Sequence, residues 1–146
     1  MDRIKLGFGY GLLAGVFKTI ADLILNSFFP YDHSYYHHAY AVISGRLPMS
    51  WDEKIFALAI DFWWTGLLGV VFILLFRTFP STPYLVRGLF FGSTLWFLFQ
   101  TLGVIWELPS FYNSELPPLI NGLISDSIYG LSLGYLLQRR EQQHKT

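Results

Sequence analysis

IFALAIDFWWTGLLGVVFILLF, residues Ile55 to Phe76, holds a single charged side chain, Asp61, in 22 positions. A helix rises about 1.5 Å per residue and the hydrocarbon core of a bilayer is roughly 30 Å thick, so about 20 apolar residues make one crossing. Leu6 to Phe28, Tyr84 to Trp106 and Pro117 to Leu137 have the same length and apolar character. The four stretches predict an all-α, polytopic membrane protein, one domain of four transmembrane helices over residues 6–28, 55–76, 84–106 and 117–137. An outer loop over residues 30–53 separates the first two.

Composition supports this reading, with 53% hydrophobic, 19% aromatic and only 14% charged residues and a mean hydropathy of +0.40. A soluble domain of this size carries about a quarter of its residues as charges. The formal net charge is zero, and the few basic residues are not interleaved with aromatics on a polar face, which argues against a nucleic-acid partner. The absence of cysteine removes disulfides, thiolate catalysis and iron–sulfur chemistry, leaving His and carboxylates as the strong metal ligands. No nucleophile–base pair and no phosphate loop is present, so neither an enzyme nor a cofactor is expected. Arg3 and Lys5 give a basic start, but Lys18 and Asp22 interrupt the apolar run that follows, so the first stretch reads as a retained helix rather than a cleaved signal.

Basic residues set the orientation. Arg3, Lys5, Arg77, Arg87, Arg139, Arg140 and Lys145 fall on one side, Arg46 and Lys54 on the other, and Lys18 within a span. The positive-inside rule then makes both termini cytoplasmic. Thr82-Pro83 reads as an N-cap with proline in the first turn of span three, and Pro117-Pro118 opens span four in the same way.

Small residues run in stripes. Gly7, Gly11 and Gly15 continue into Lys18 and Asp22 along one face of the first helix, and Gly88, Gly92, Trp96 and Gln100 do the same on the third. In the other two spans Asp61 is followed by Thr65 and Gly69, and Asp126 by Gly130 and Gly134. Such stripes let helix backbones approach closely. Aligning Gly11 with Gly92 and Asp61 with Asp126 suggests two related helical hairpins, as in transporters built from parallel repeats.

The candidate site is the polar set inside the spans: Asp61, Asp126, Lys18, Asp22, Gln100 and Asn121. The helical rise places Asp22, Asp61 and Gln100 about 6–8 Å outward of the midplane, Asp126 about 2 Å outward and Lys18 near the centre. An ionised group facing lipid costs several kcal/mol, so these side chains are expected to turn inward together. Lys18 and Asp22, one turn apart, are expected to pair. Asp61 and Asp126 are then left as the titrating or ligating carboxylates, with Gln100 and Asn121 as hydrogen-bonding lining.

The outer loop contains Tyr31-Asp32-His33-Ser34-Tyr35-Tyr36-His37-His38-Ala39-Tyr40. His33 and His37 are spaced to share a metal on one helical face, with Asp32 or Glu53 completing the shell. The alternative is an amphipathic interfacial helix with its Tyr and His side chains at the headgroups.

The run Gly11-Leu12-Leu13-Ala14-Gly15 followed by Lys18, the Phe79-Pro80 turn, Gly88-Leu89 with Gly92, and the ending Tyr135-Leu136-Leu137-Gln138-Arg139-Arg140 resemble the YagU-type and YqhR-type small bacterial inner-membrane proteins. The resemblance implies a multi-helix protein of the bacterial plasma membrane and no particular activity. At the positions of Asp61 and Asp126 that group tends to carry histidine, which also carries protons or binds cations.

These features point to an intramembrane polar site, open to the outside, that binds or conducts a proton, a cation or a small polar solute. Four helices make a narrow bundle, so a homo-oligomer sharing glycine faces is the expected state within the lipid bilayer. The alternative is a non-transporting accessory or scaffold subunit whose charges pair with the helices of a partner membrane subunit.

Overall fold

The computed structural model describes residues 2–29, 36–76, 82–108, 111 and 115–143. They form five helices: α1 (Arg3–Phe28), α2 (Tyr36–Ser44), α3 (Trp51–Phe76), α4 (Tyr84–Ile105) and α5 (Leu116–Gln143). No strand occurs among the described residues.

Local chemistry sets the ends. The Asp2 carboxylate accepts the Ile4 N–H at 3.1 Å and starts α1. Ser50-Trp51-Asp52-Glu53 is a capping box, in which the Glu53 carboxylate reaches back to the Met49 N–H at 2.8 Å and the Ser50 N–H at 3.4 Å. Arg46 holds the same carboxylate, Nη1 lying 3.1 Å from Oε2, so one glutamate both starts α3 and anchors the segment leading from α2. That segment turns at Gly45, whose φ of +72° lies in the left-handed region glycine tolerates. Pro83 itself is the N-cap of α4, one residue later than the expected Thr82. Pro117 and Pro118 occupy the first turn of α5, where a missing N–H leaves nothing unpaired.

Three helices, not four, are long and apolar enough to cross a membrane: α1, α3 and α4. The fourth expected span is present as α5, and at 28 residues its length suffices. Its apolar content does not. Asn121, Ser125 and Asp126, together with Gly122, Gly130 and Gly134, lie along its buried face in place of apolar side chains.

The glycine stripes are spent inside the chain. In the α1–α3 pair, a Cβ at Gly69 would lie 2.6 Å from the Gly11 Cα, and one at Gly7 would lie 2.7 Å from the Val70 Cα. In the α4–α5 pair, a Cβ at Gly130 would lie 2.8 Å from the Gly92 nitrogen, and one at Gly88 would strike the Gly130 carbonyl. Both pairs are antiparallel, and α5 also packs on α1, joining the hairpins. Between α3 and α4 the spacing is filled by rings: Phe91 stands 5.1 Å from Phe72 and 5.9 Å from Phe76, and Trp64 stands 5.6 Å from Phe99. An oligomer therefore has to use a surface other than these glycine faces.

The two hairpins pack in matching register. Gly7 and Gly11 meet the turns of Gly69 and Thr65, as Tyr84 and Gly88 meet those of Gly134 and Gly130. Gly7 and Gly11 likewise meet Gly69 and Thr65 as Gly88 and Gly92 meet Gly130 and Asp126, which pairs the expected offset of 81 between the first helices with 61, not 65, between the second. The expected alignments of Gly11 with Gly92 and of Asp61 with Asp126 are therefore one helical turn out of step, because every fourth residue is small.

Where α3 ends and α4 begins, Arg87, buried, donates from Nη1 to the Phe76 carbonyl at 3.2 Å and stacks on Tyr84 at 4.8 Å. It caps the last turn of α3, where a cation also meets the negative end of the helix dipole.

Gly11→Leu and Gly130→Leu are each expected to destabilise the bundle by about 1–3 kcal/mol or more, because the colliding atoms are backbone. Gly9, with nothing within 4 Å of its added Cβ, is the control: Gly9→Leu is expected to stay within about 0.5 kcal/mol. Denaturation curves of the detergent-solubilised protein check both.

Candidate functional site

Gly15 sets the position of the site. With no Cβ there, the Thr65 side chain of α3 seats directly against α1, and a Cβ would lie 3.0 Å from that of Thr65. One turn outward from this contact, the Lys18 ammonium of α1 meets the Asp61 carboxylate of α3 at 2.8 Å, both side chains buried. Thr65 also links to the third helix, because the Tyr129 hydroxyl of α5 donates to its carbonyl at 2.5 Å. Its own hydroxyl donates to the Phe62 carbonyl at 2.9 Å and is thereby satisfied within α3.

Gly92 does for α5 what Gly15 does for α3. A Cβ there would strike the Asp126 carbonyl, so α4 lies flush against the turn that carries Asp126 and supports it from behind. Asp126 and Asp22 both lie within electrostatic range of the Lys18 ammonium, with Asp61 acting on it most strongly. Lys18, Asp22, Asp61 and Asp126 are only 2–6% exposed. Three carboxylates thus surround one ammonium at the junction of α1, α3 and α5.

Asn121, Ser125 and Tyr129 are spaced by four on one face of α5, and Tyr129 fixes that face toward α3. Both Asn121 and Ser125 are fully buried, at 2% and 0% exposure. The Asn121 Nδ2 donor and the Ser125 Oγ have no hydrogen-bond partner. A buried amide or hydroxyl left unpaired costs about 1–3 kcal/mol.

The structure rearranges the expected site in three respects. Lys18 takes Asp61 as its close partner, so the carboxylate expected to lack a cation has one. The expectation of a pairing within α1 considered only neighbours on one helix, whereas antiparallel packing at Gly15 brings α3 nearer. Gln100 lies away from the cluster: with Gly92 level with Asp126, it is two turns, about 12 Å, further out. There its amide nitrogen donates to the Phe111 carbonyl at 3.3 Å. Finally, every charged member of the cluster is buried.

At the opposite end of the bundle from Arg87, α2 and Phe111 meet. α2 packs on α3, with Ala41 and Ala57 wholly buried, while the Phe111 ring fills the space left by Gly103 on α4. His38 of α2 meets the same ring, centroids 4.6 Å apart, so α2 and the α4–α5 connection are joined across this end. The loop thus contains a helix, α2, but it packs on α3. His37 is buried on it, and His33 lies outside the described residues. Among the described residues no group of three or more His, Asp or Glu side chains is arranged to hold a metal ion.

Thr65, Ser125 and Tyr129 complete the site and were not singled out as lining. A usable signal existed for two of them, because Ser125 and Tyr129 continue the four-residue spacing from Asn121. Thr65 occupies a position that its stripe marks only as small.

Comparison with protein-family models, with curated protein sequences and with solved structures finds no match to this chain.

Removing one partner of a buried ion pair strands the other, typically at a cost of about 3–5 kcal/mol. Lys18→Met is expected to fall in that range, and the double variant Lys18→Met/Asp61→Leu to recover most of the loss. Thermal melts of the three proteins in detergent test this; equal stability of Lys18→Met and the parent would contradict the placement of the pair.

Proposed function

We propose that the chain is a membrane protein that takes up a proton, a small cation or a small polar solute in the layer formed by Lys18, Asp22, Asp61, Asp126, Asn121 and Ser125, and passes it across the bilayer. The observation that carries this reading is the charge of the enclosed cluster. Three carboxylates and one ammonium sum to a formal charge of −2 when all are ionised. An uncompensated buried ion costs several kcal/mol, so the layer attracts a positively charged species from either side.

Membrane crossing by α1, α3 and α4 follows from length and apolarity. α5 crosses with them because it is packed against α4 from Tyr84 to Gly92, its polar face turned inward. An even number of crossings then puts both termini on one side, and the basic residues make that side cytoplasmic. A bacterial inner membrane is the location implied by the YagU-type and YqhR-type resemblance.

Access from the outside requires the α2–Phe111 cover to move, breaking the contacts of Phe111 with His38 and Gln100. The inner side is sealed by the Phe72, Phe76 and Phe91 rings with Tyr129 and Leu133. A binding layer between two separate closures suits alternating access better than an open pore. An accessory role is less well served, since the cluster's charges face inward and leave none for a partner's helices.

Purified protein in liposomes, assayed for proton and cation flux, tests the proposal. Asp61→Asn and Asp126→Asn are each expected to reduce flux at least 10-fold while the protein still expresses and inserts. Unchanged flux in both variants would overturn it. Absence of flux from the parent protein, with a membrane subunit co-purifying, would replace it with the accessory reading.

A further inference from the structure

A ring of exposed apolar side chains surrounds the end of the bundle opposite Arg87. Phe28 ends α1, Trp51 begins α3, Trp106 follows α4 and Leu116 begins α5, and each is more than half exposed. Aromatic side chains at the ends of apolar helices suit the boundary between headgroups and hydrocarbon, where one edge of the ring is dry and the other wet. With 26 residues α3 is about 39 Å long against a hydrocarbon core of roughly 30 Å, so its first turn reaches the headgroups. In that turn the Lys54 ammonium lies over the Trp51 ring, 5.1 Å from its centroid.

α2 lies beside this turn. Arg46, two residues after α2 ends, holds Glu53 of α3 with Nη1 3.1 Å from Oε2, which fixes the connection of residues 45–50 against the start of α3. The nine residues of α2, Tyr36–Ser44, include no Asp, Glu, Lys or Arg. Its buried side carries His37 and Ala41, one turn apart. Ile43, two residues beyond Ala41 and so on nearly the opposite side, is 66% exposed, and Val42 beside it is half exposed. Met49 and Trp51, which follow, are 84% and 79% exposed. A helix that packs one face on a protein and turns the other to water carries polar side chains on the outer face, and α2 carries valine and isoleucine there.

Continuity with the rest of the surface decides what covers this patch. From Trp51 it runs one turn along α3 into Ile55 and Phe56, both mostly exposed, which begin the face that α3 turns to lipid. The charges nearby balance, Arg46 and Lys54 against Asp52 and Glu53, so the patch is selective for apolar depth and not for the sign of a headgroup. We infer that α2 and the turn after it lie in the headgroup layer of the outer leaflet, with Val42, Ile43 and Met49 inserted among the upper parts of the acyl chains. This rests on the reading of the long helices as membrane spans. It reverses the sequence expectation, in which the Tyr and His side chains of this segment met the headgroups, because His37 is buried. Since His38 of the same helix carries the contact with Phe111, the cover over the polar layer is seated in lipid.

The chain has no cysteine, so a nitroxide can be placed at one chosen position at a time. Ile43→Cys, Met49→Cys, Val71→Cys at the middle of α3 and Gln142→Cys near the end of α5 are labelled and reconstituted in phosphatidylcholine vesicles, and collisions with oxygen and with a water-borne nickel chelate are measured. Labels at 43 and 49 are expected to meet oxygen readily and to meet nickel about fivefold less often than the label at 142, to the same extent when phosphatidylglycerol is added. Nickel access at 43 and 49 equal to that at 142, with the label at 71 in lipid, would overturn the inference and leave the membrane spans standing. Shielding of 43 and 49 from both reagents would also overturn it, in favour of a partner protein or a second copy of the chain on this face. Shielding from nickel that requires phosphatidylglycerol would contradict its apolar basis. Free nickel access at 71 would defeat the membrane reading and the inference together.

Discussion

One buried ion pair fixes the centre of this molecule. Lys18 and Asp61 are held 2.8 Å apart on antiparallel helices, with Asp22 and Asp126 close by. Removing charges from water is expensive, and hydrophobic replacements of such pairs are often as stable. Stability is therefore a poor reason for this cluster to exist in a chain with 53% hydrophobic residues. The excess of carboxylate over ammonium is the feature on which the proposed function rests.

The glycines matter because they decide which side chains can meet. Helices that approach as closely as α1 and α3 do at Gly11 and Gly69 put a lysine of one within hydrogen-bond reach of an aspartate of the other. The same closeness between α4 and α5 presses the Asp126 turn against Gly92 and leaves its side chain to the α1 and α3 side. Packing and chemistry are thus successive turns of the same stripes. Inward of the layer the stripes end on an aromatic core, and outward they end beneath α2 and Phe111.

Much of this was legible in the residues. The helical class, the boundaries near Phe28, Phe76 and Ile105, the glycine faces and the inward convergence of Lys18, Asp22, Asp61 and Asp126 all follow from apolar length and a four-residue spacing. What spacing alone does not carry is register between helices. Distance along a single helix sets Lys18 beside Asp22 and Gln100 in the polar layer, whereas contacts between helices add Asp61 as a partner of Lys18 and give Gln100 the Phe111 carbonyl. Apolar length also predicts a fourth span over 117–137, whereas α5 carries too many polar residues on its buried face to be apolar enough. The closure over the site was hidden for a related reason: Phe111 belongs to a connection with no periodicity to read.

The distance from the Lys18 Nζ to the carboxyl carbons of Asp61 and Asp126, measured by solid-state NMR on nitrogen-15 lysine and carbon-13 aspartate protein in lipid bilayers, tests the central claim most directly. Strong dephasing of the Lys18 nitrogen that weakens in Asp61→Asn, with a smaller part lost in Asp126→Asn, is the result this account predicts. A Lys18 nitrogen that senses neither carboxylate would mean that the three helices do not meet at a common charged layer, and would contradict it.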